Sequence, residues 1–229
     1  MALAAVLVLA LLAAPARAGE VEWKMLVDQA NLHLQRGSLE QAELFAREAI
    51  AEAGRSFGPT HRSVDQSIAT LGLILRFAER YPEAEREFRR ALAMREKVLG
   101  PRDPQTAILL NNLADVAQAQ KKFAEAEKLH RRVLAVFEKA YGEDPKTAAS
   151  LNNLGAAIQA QGRHAEAEPL LRRSLAMKEK TLGPNSPSVA HTLNNLARVL
   201  QALGRRAEAE KMLARAAAIQ RSTRAAGGG

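Results

Sequence analysis

A chain of 229 residues with a formal charge of +8, no cysteine and 4% aromatic side chains rules out several classes at once. Without cysteine there is no disulfide framework, thiolate metal site, cysteine nucleophile or lipidated cysteine. Few aromatics beside abundant alanine leave a core of small and aliphatic side chains, which suits closely packed helices rather than a sheet.

In chain order, the first feature is an apolar run of thirteen residues, Ala2–Ala14, followed by Ala16-Arg17-Ala18. The run is shorter than the about 20 apolar residues a spanning helix needs, so no transmembrane span is expected. The small-x-small tripeptide matches a cleavage site, and residues 1–18 read as an export signal cut after Ala18. The mature chain is then expected in the periplasm or outside the cell. No Lys or Arg precedes the apolar run, so only the amino terminus supplies positive charge, and retention as an anchor is the alternative. A basic balance suits nucleic acid, an anionic surface or acidic protein segments, and export makes nucleic acid the least favoured of these.

From residue 21 the chain repeats itself. Asn111, Asn152 and Asn194 are 41 and 42 residues apart, each inside a Leu-Asn-Asn-Leu string. Ala84, Ala126, Ala167 and Ala209 sit inside Glu-Ala-Glu with the same spacing, and Ala42 inside Gln-Ala-Glu. A third marker is Gly100–Pro104, Gly142–Pro145 and Gly183–Pro187, whose shorter middle loop accounts for the single step of 41. These markers define five repeats, near 21–62, 63–104, 105–145, 146–187 and 188–222, with a loose tail at 223–229.

Each repeat reads as two helices. In the third, Leu110, Leu113, Ala114 and Ala117 share one helical face near 104–120, and Ala126, Leu129, Val133 and Phe137 share another near 124–140. Gly162 and Gly204 supply the left-handed residue that ends a first helix. Asp103-Pro104, Asp144-Pro145 and Ser186-Pro187 place a capping side chain before a proline whose missing N–H would be unpaired there anyway. A helix pair of this length cannot bury both helices alone, so stacking against neighbours must make the core, with Ala126 and its counterparts at the closest approach.

Chemical motifs are absent. His33, His61, His130, His164 and His191 occupy unrelated repeat positions and form no H-E-x-x-H or other compact metal spacing. No nucleophile elbow, phosphate loop or dinucleotide fingerprint occurs, so no catalytic residue, metal or cofactor is assigned. His61, Ser63 and Asp65 at a helix start read as capping.

The string Leu-Asn-Asn-Leu, Gln-Gly-Arg, Ala-Glu-Ala-Glu, Leu-Gly-Pro within Leu151–Pro187 and its neighbours resembles the tetratricopeptide repeat family, in the 42-residue form found in kinesin light chains. The resemblance covers about Val21 to Arg221. It implies an all-α, right-handed superhelical solenoid of antiparallel helix pairs. Its first helices would line a concave groove that holds extended peptides, in a scaffold that is not an enzyme.

On the first helices, Asn111, Asp115 and Gln118 form a polar stripe away from the apolar arc; Asn152 and Gln159, then Asn194, Arg198 and Gln201, continue it in the next repeats. Amides offer both donor and acceptor to a peptide backbone, so these eight residues are the candidate peptide-binding set, with Asp115, Arg198 and Arg76 tuning charge. The second amides, Asn112, Asn153 and Asn195, are expected to bond neighbouring helices. The pairs Arg89-Arg90, Arg131-Arg132 and Arg172-Arg173 read as a solvated outer face, each following a glutamate four residues back. Two alternatives stand beside peptide binding. One is a structural element of the cell envelope that self-associates through a final helix carrying Met212, Leu213 and Ile219; the other is docking on anionic surfaces.

Overall fold

The computed structural model describes the backbone of residues 2–226 and the side chains of residues 18–224. The side chains of the apolar run Ala2–Ala14, and residues 227–229, lie outside the described residues. Ten helices follow one another: α1 (Ala2–Gln35), α2 (Leu39–Phe57), α3 (Arg62–Phe77), α4 (Tyr81–Leu99), α5 (Pro104–Ala119), α6 (Phe123–Tyr141), α7 (Pro145–Gln159), α8 (His164–Leu182), α9 (Pro187–Ala202) and α10 (Arg206–Ala226). They are the first and second helices of five repeats, and no strand occurs among the described residues. The tail expected to be irregular from residue 223 instead continues α10 to Ala226, with the Thr223 and Ser222 hydroxyls donating to the Ile219 carbonyl.

The helix starts follow their caps. Asp103 and Asp144 each accept the backbone N–H two residues on, at 2.7 and 2.8 Å, and Ser186 does so at 3.3 Å. His61 caps α3 through Nδ1, which accepts the Ser63 N–H. The turn inside each repeat needs one left-handed residue. Gly37, Gly162 and Gly204 fill it freely, but Glu79 and Lys121 hold the same position at φ 59° and 61°. A side chain there costs about 1–2 kcal/mol.

The chain divides into two compact units, Met1–Val116 and Ala117–Gly229. In the first, Ile68, Leu71, Ile74, Leu75 and Phe88 are fully buried, and the Trp23 indole N–H donates to Ser67 Oγ at 2.9 Å, tying α1 to α3. In the second, Leu154, Ile158, Leu171, Leu196 and Leu200 form one cluster with Ala167 and Ala209. The alanines of the four Glu-Ala-Glu markers, Ala84, Ala126, Ala167 and Ala209, are sealed, as is Ala42 in the first repeat. Glycine is required at Gly155, where a Cβ would lie 2.8 Å from Leu171 Cγ, and at Gly72, which faces the Phe88 ring in the same way.

The flanking glutamates have a separate task. An arginine at the intra-repeat turn reaches both the glutamate three residues on and the marker glutamate of the preceding repeat. Arg80 joins Glu83 and Glu43, Arg163 joins Glu166 and Glu127, and Arg205 joins Glu208 and Glu168, at 2.5–2.7 Å. These forks staple successive second helices. The arginine pairs, expected to be a solvated face, take part as well. The first of each pair bonds its own glutamate at i−4, but Arg173 reaches Glu138 of the preceding repeat, and Arg215 reaches Glu179. Such charge-assisted bonds set the stacking register more than they add stability, since the arginine ends stay 36–54% exposed.

Candidate functional site

Burial leaves α3, α5, α7 and α9 each a narrow open line between buried positions. In the second unit, α9 shows His191, Asn194, Arg198 and Gln201, spaced by three or four residues. α7 shows Ala149, Asn153, Ala156 and Gln159. In the first unit, α3 shows Gln66, Ala69, Leu73 and Arg76, and α5 shows Ile108, Asn111 and Asp115, with Gln118 following on the last turn of α5. Seven of the eight stripe residues thus lie on open or half-open lines.

Asn152 does not. It is 3% exposed, and its Oδ1 accepts from Asn195 Nδ2 at 3.0 Å. Its own Nδ2 donates to Asn153 Oδ1 at 3.4 Å, and Arg198 Nη2 donates to Asn195 Oδ1. One continuous relay, Arg198–Asn195–Asn152–Asn153, therefore ties α9 to α7. The expected division, first amides to ligand and second to the stack, is corrected here. The stacking bond joins the second amide of one repeat to the first amide of the repeat before it, so Asn152 is consumed while Asn153 stays half-open. The neighbouring Asn is the nearest group able to satisfy a buried amide at that depth.

Electrostatics differ between the two units. In the first, Arg76 lies 3.9 Å from Asp115, too long for a hydrogen bond, and its guanidinium sits 4.8 Å over the Phe77 ring. Arg76 Nε is buried without a partner. Burial pushes the Asp115 carboxyl up to about 6, against the opposing pull of Arg76. The second unit is basic. Lys178 is buried beneath α9 with no carboxylate partner and donates to Thr192 Oγ1 and the Ser188 carbonyl; burial brings its amine down to about 8. Burial first, then Lys178 and Arg198, lower His191 as well. Sequence reasoning missed Lys178, because its repeat counterparts, Arg95, Phe137 and Gln220, form no constant pattern.

Nothing in this arrangement resembles a reacting centre. No three His, Asp or Glu side chains gather as a metal site among the described residues, and the histidines stay apart. No helix among them is long and apolar enough to cross a membrane.

The sequence profile of the tetratricopeptide repeat matches in four overlapping placements, residues 24–97, 65–139, 105–180 and 146–222. A comparison with curated proteins finds no match. Among solved structures, a Podosopora anserina protein with nearly identical TPR-like repeats of the kinesin light chain kind is 28% identical; its TM-score is 0.76 over 91% of this chain and 97% of that one. BtubC (BKLC) of P. vanneervenii is 23% identical at a TM-score of 0.79, over 93% and 90%. The Rap conjugation gene regulator of plasmid pLS20, solved with the Phr* peptide, is 14% identical at 0.67, over 88% of this chain and 54% of that one. The last two likenesses are of fold alone.

Proposed function

The chain belongs to the tetratricopeptide repeat family, with kinesin-light-chain-like repeats, and from that premise we propose a non-catalytic scaffold that holds extended segments of partner proteins along its first helices. The observation that carries this reading is the Arg76–Asp115 pair. Two opposite charges on the neighbouring open lines of α3 and α5 lie 3.9 Å apart, each short of partners, one stacked on an aromatic ring. A peptide can exchange that loose contact for better ones, giving its carboxylate to Arg76 and its N–H groups to Asp115. Asn194, Arg198 and Gln201 offer donors and a positive charge in the second unit, which favours acidic segments. A peptide-bound structure of the same fold, that of the pLS20 regulator, is compatible with this use.

Export is part of the proposal. Gly19, the first residue after the expected cut, is buried, and a Cβ there would collide with Ser56 Oγ, so the residue that follows the cut is already packed on α2.

The test is selection of random 12-residue peptides on the immobilised chain, followed by titration against Arg76→Ala and Arg198→Ala. Affinities in the micromolar range that fall about tenfold in at least one variant are expected. Peptides that bind both variants as well as the parent would place the site elsewhere.

A further inference from the structure

The exposed surface of α9 and α10 that faces away from α7 and α8 has a template inside the molecule, because α9 and α10 show how the equivalent surface of α7 and α8 is covered. Contacts across that junction include Asn195 to Asn152, Arg205 to Glu168 and Arg215 to Glu179, beside Arg172 to Glu208 and Lys178 to Thr192. Moving the receiving residues of the first three one repeat forward gives Asn194, Glu210 and Arg221 at that surface. Moving their incoming residues back to the first repeat gives Asp28, Ser38 and Glu48. None of these six side chains has a polar partner among the described residues, and all but the half-open Asn194 are exposed.

The two sets are complementary pair by pair. The Asn194 amide can donate to the Asp28 carboxylate, the Ser38 hydroxyl to Glu210, and Arg221 to Glu48. In the last pair the charges are reversed from Glu179–Arg215, so the contact is preserved with its polarity inverted. The flanks agree. Residues 18–57 carry seven acidic against four basic side chains, whereas 187–224 carry seven basic against two acidic. Val21 and Met25, at the counterparts of Ser188 and Thr192, stand 70% and 56% exposed. At the other end a cavity of about 360 Å³ opens between α9 and α10, lined by Pro187, His191, Asn194, Gln220, Thr223 and Arg224. The internal junction seats Ser188 and Thr192 on Lys178, whose counterpart is Gln220 in that lining.

We propose that the basic face of α9 and α10 docks the acidic first repeat of a second copy of this chain, head to tail. The occupant is fixed by the three complementary pairs and by the opposite charge of the two ends. This surface shares His191 and Asn194 with the peptide line of α9, and its other residues, Glu210, Gln220 and Arg221, lie on α10 away from that line. It also replaces the simpler picture of an apolar final helix, since Met212 packs inward, Ile219 is buried, and only Leu213 of that trio is exposed. A contact between two different faces does not close on itself as a twofold dimer does, so growth continues with concentration.

Sedimentation velocity on the full chain reads this directly. At about 50 mM salt the parent should associate progressively, and at about 500 mM it should dissociate. Glu48→Arg alone and Arg221→Glu alone should each weaken association about tenfold or more, while an equimolar mixture of the two recovers it, because each restores the pair the other lacks. Circular dichroism confirms that both variants are folded. A parent that stays monomeric at about 200 µM in low salt overturns the proposal. So does association indifferent to both reversals, or a mixture no stronger than its components.

Discussion

His130→Leu should raise stability, and by more in acid than at neutral pH. His130 is fully buried in α6, and neither ring nitrogen has a hydrogen-bond partner. The same repeat position holds Phe88 and Leu171, both sealed apolar side chains, so leucine suits the site. Relieving an unsatisfied buried donor and acceptor is worth roughly 1–3 kcal/mol at pH 7.5. Burial brings the imidazole down to about 4 from an ordinary 6.5. The unfolded chain therefore binds the proton more readily, and the parent's stability is fully present above pH 6.5 and lost as pH falls toward 4. Across pH 7.5 to 4.5 that loss is about 2.5 kcal/mol, and the variant escapes it. Urea titrations of both proteins at the two pH values measure the gap. If the variant is no more stable at pH 7.5, and the difference does not widen at pH 4.5, the reasoning about His130 is wrong.

Lys121→Gly and Glu79→Gly should each stabilise by about 0.5–1 kcal/mol, the relief of a left-handed side chain less the entropy of glycine, whereas Gly162→Ala should destabilise; midpoints of thermal unfolding report all three. Ala167→Leu should cost about 1–3 kcal/mol by overpacking the sealed contact between helices, read from denaturant midpoints. Affinity for a selected acidic peptide should rise as pH falls through about 6, because protonated Asp115 no longer competes for Arg76. Asp115→Asn should flatten that part of the profile, and calorimetric titration between pH 5 and 7.5 shows whether it does.

Much of the fold was legible because each marker has a local cause. Proline behind Asp144 or Ser186 starts a helix wherever it stands, and the alanine of Glu-Ala-Glu must be small wherever two helices touch. The open lines on the first helices follow from spacing alone, which is how Asp115, Arg198 and Gln201 were found. What spacing does not contain is the neighbour. Whether Asn152 or Asn153 turns inward depends on Asn195 above it, and the reach of Arg163 to Glu127 depends on the offset between repeats. The left-handed turn at Glu79 and Lys121 carries no glycine to announce it. His130 occupies a core position that is apolar at Phe88 and Leu171, and Lys178 one held by Arg95, Phe137 and Gln220 in other repeats, so only packing exposes them.

The central claim is that partner segments lie along the first helices. A selected peptide carrying a photoreactive leucine, crosslinked to the chain and mapped by mass spectrometry, tests it most directly. Attachment to residues of the open lines, such as Ile108, Gln118, His191 or Gln201, is the expected result. Attachment to the outer second helices, at Arg172 or Lys180 for instance, would contradict the account.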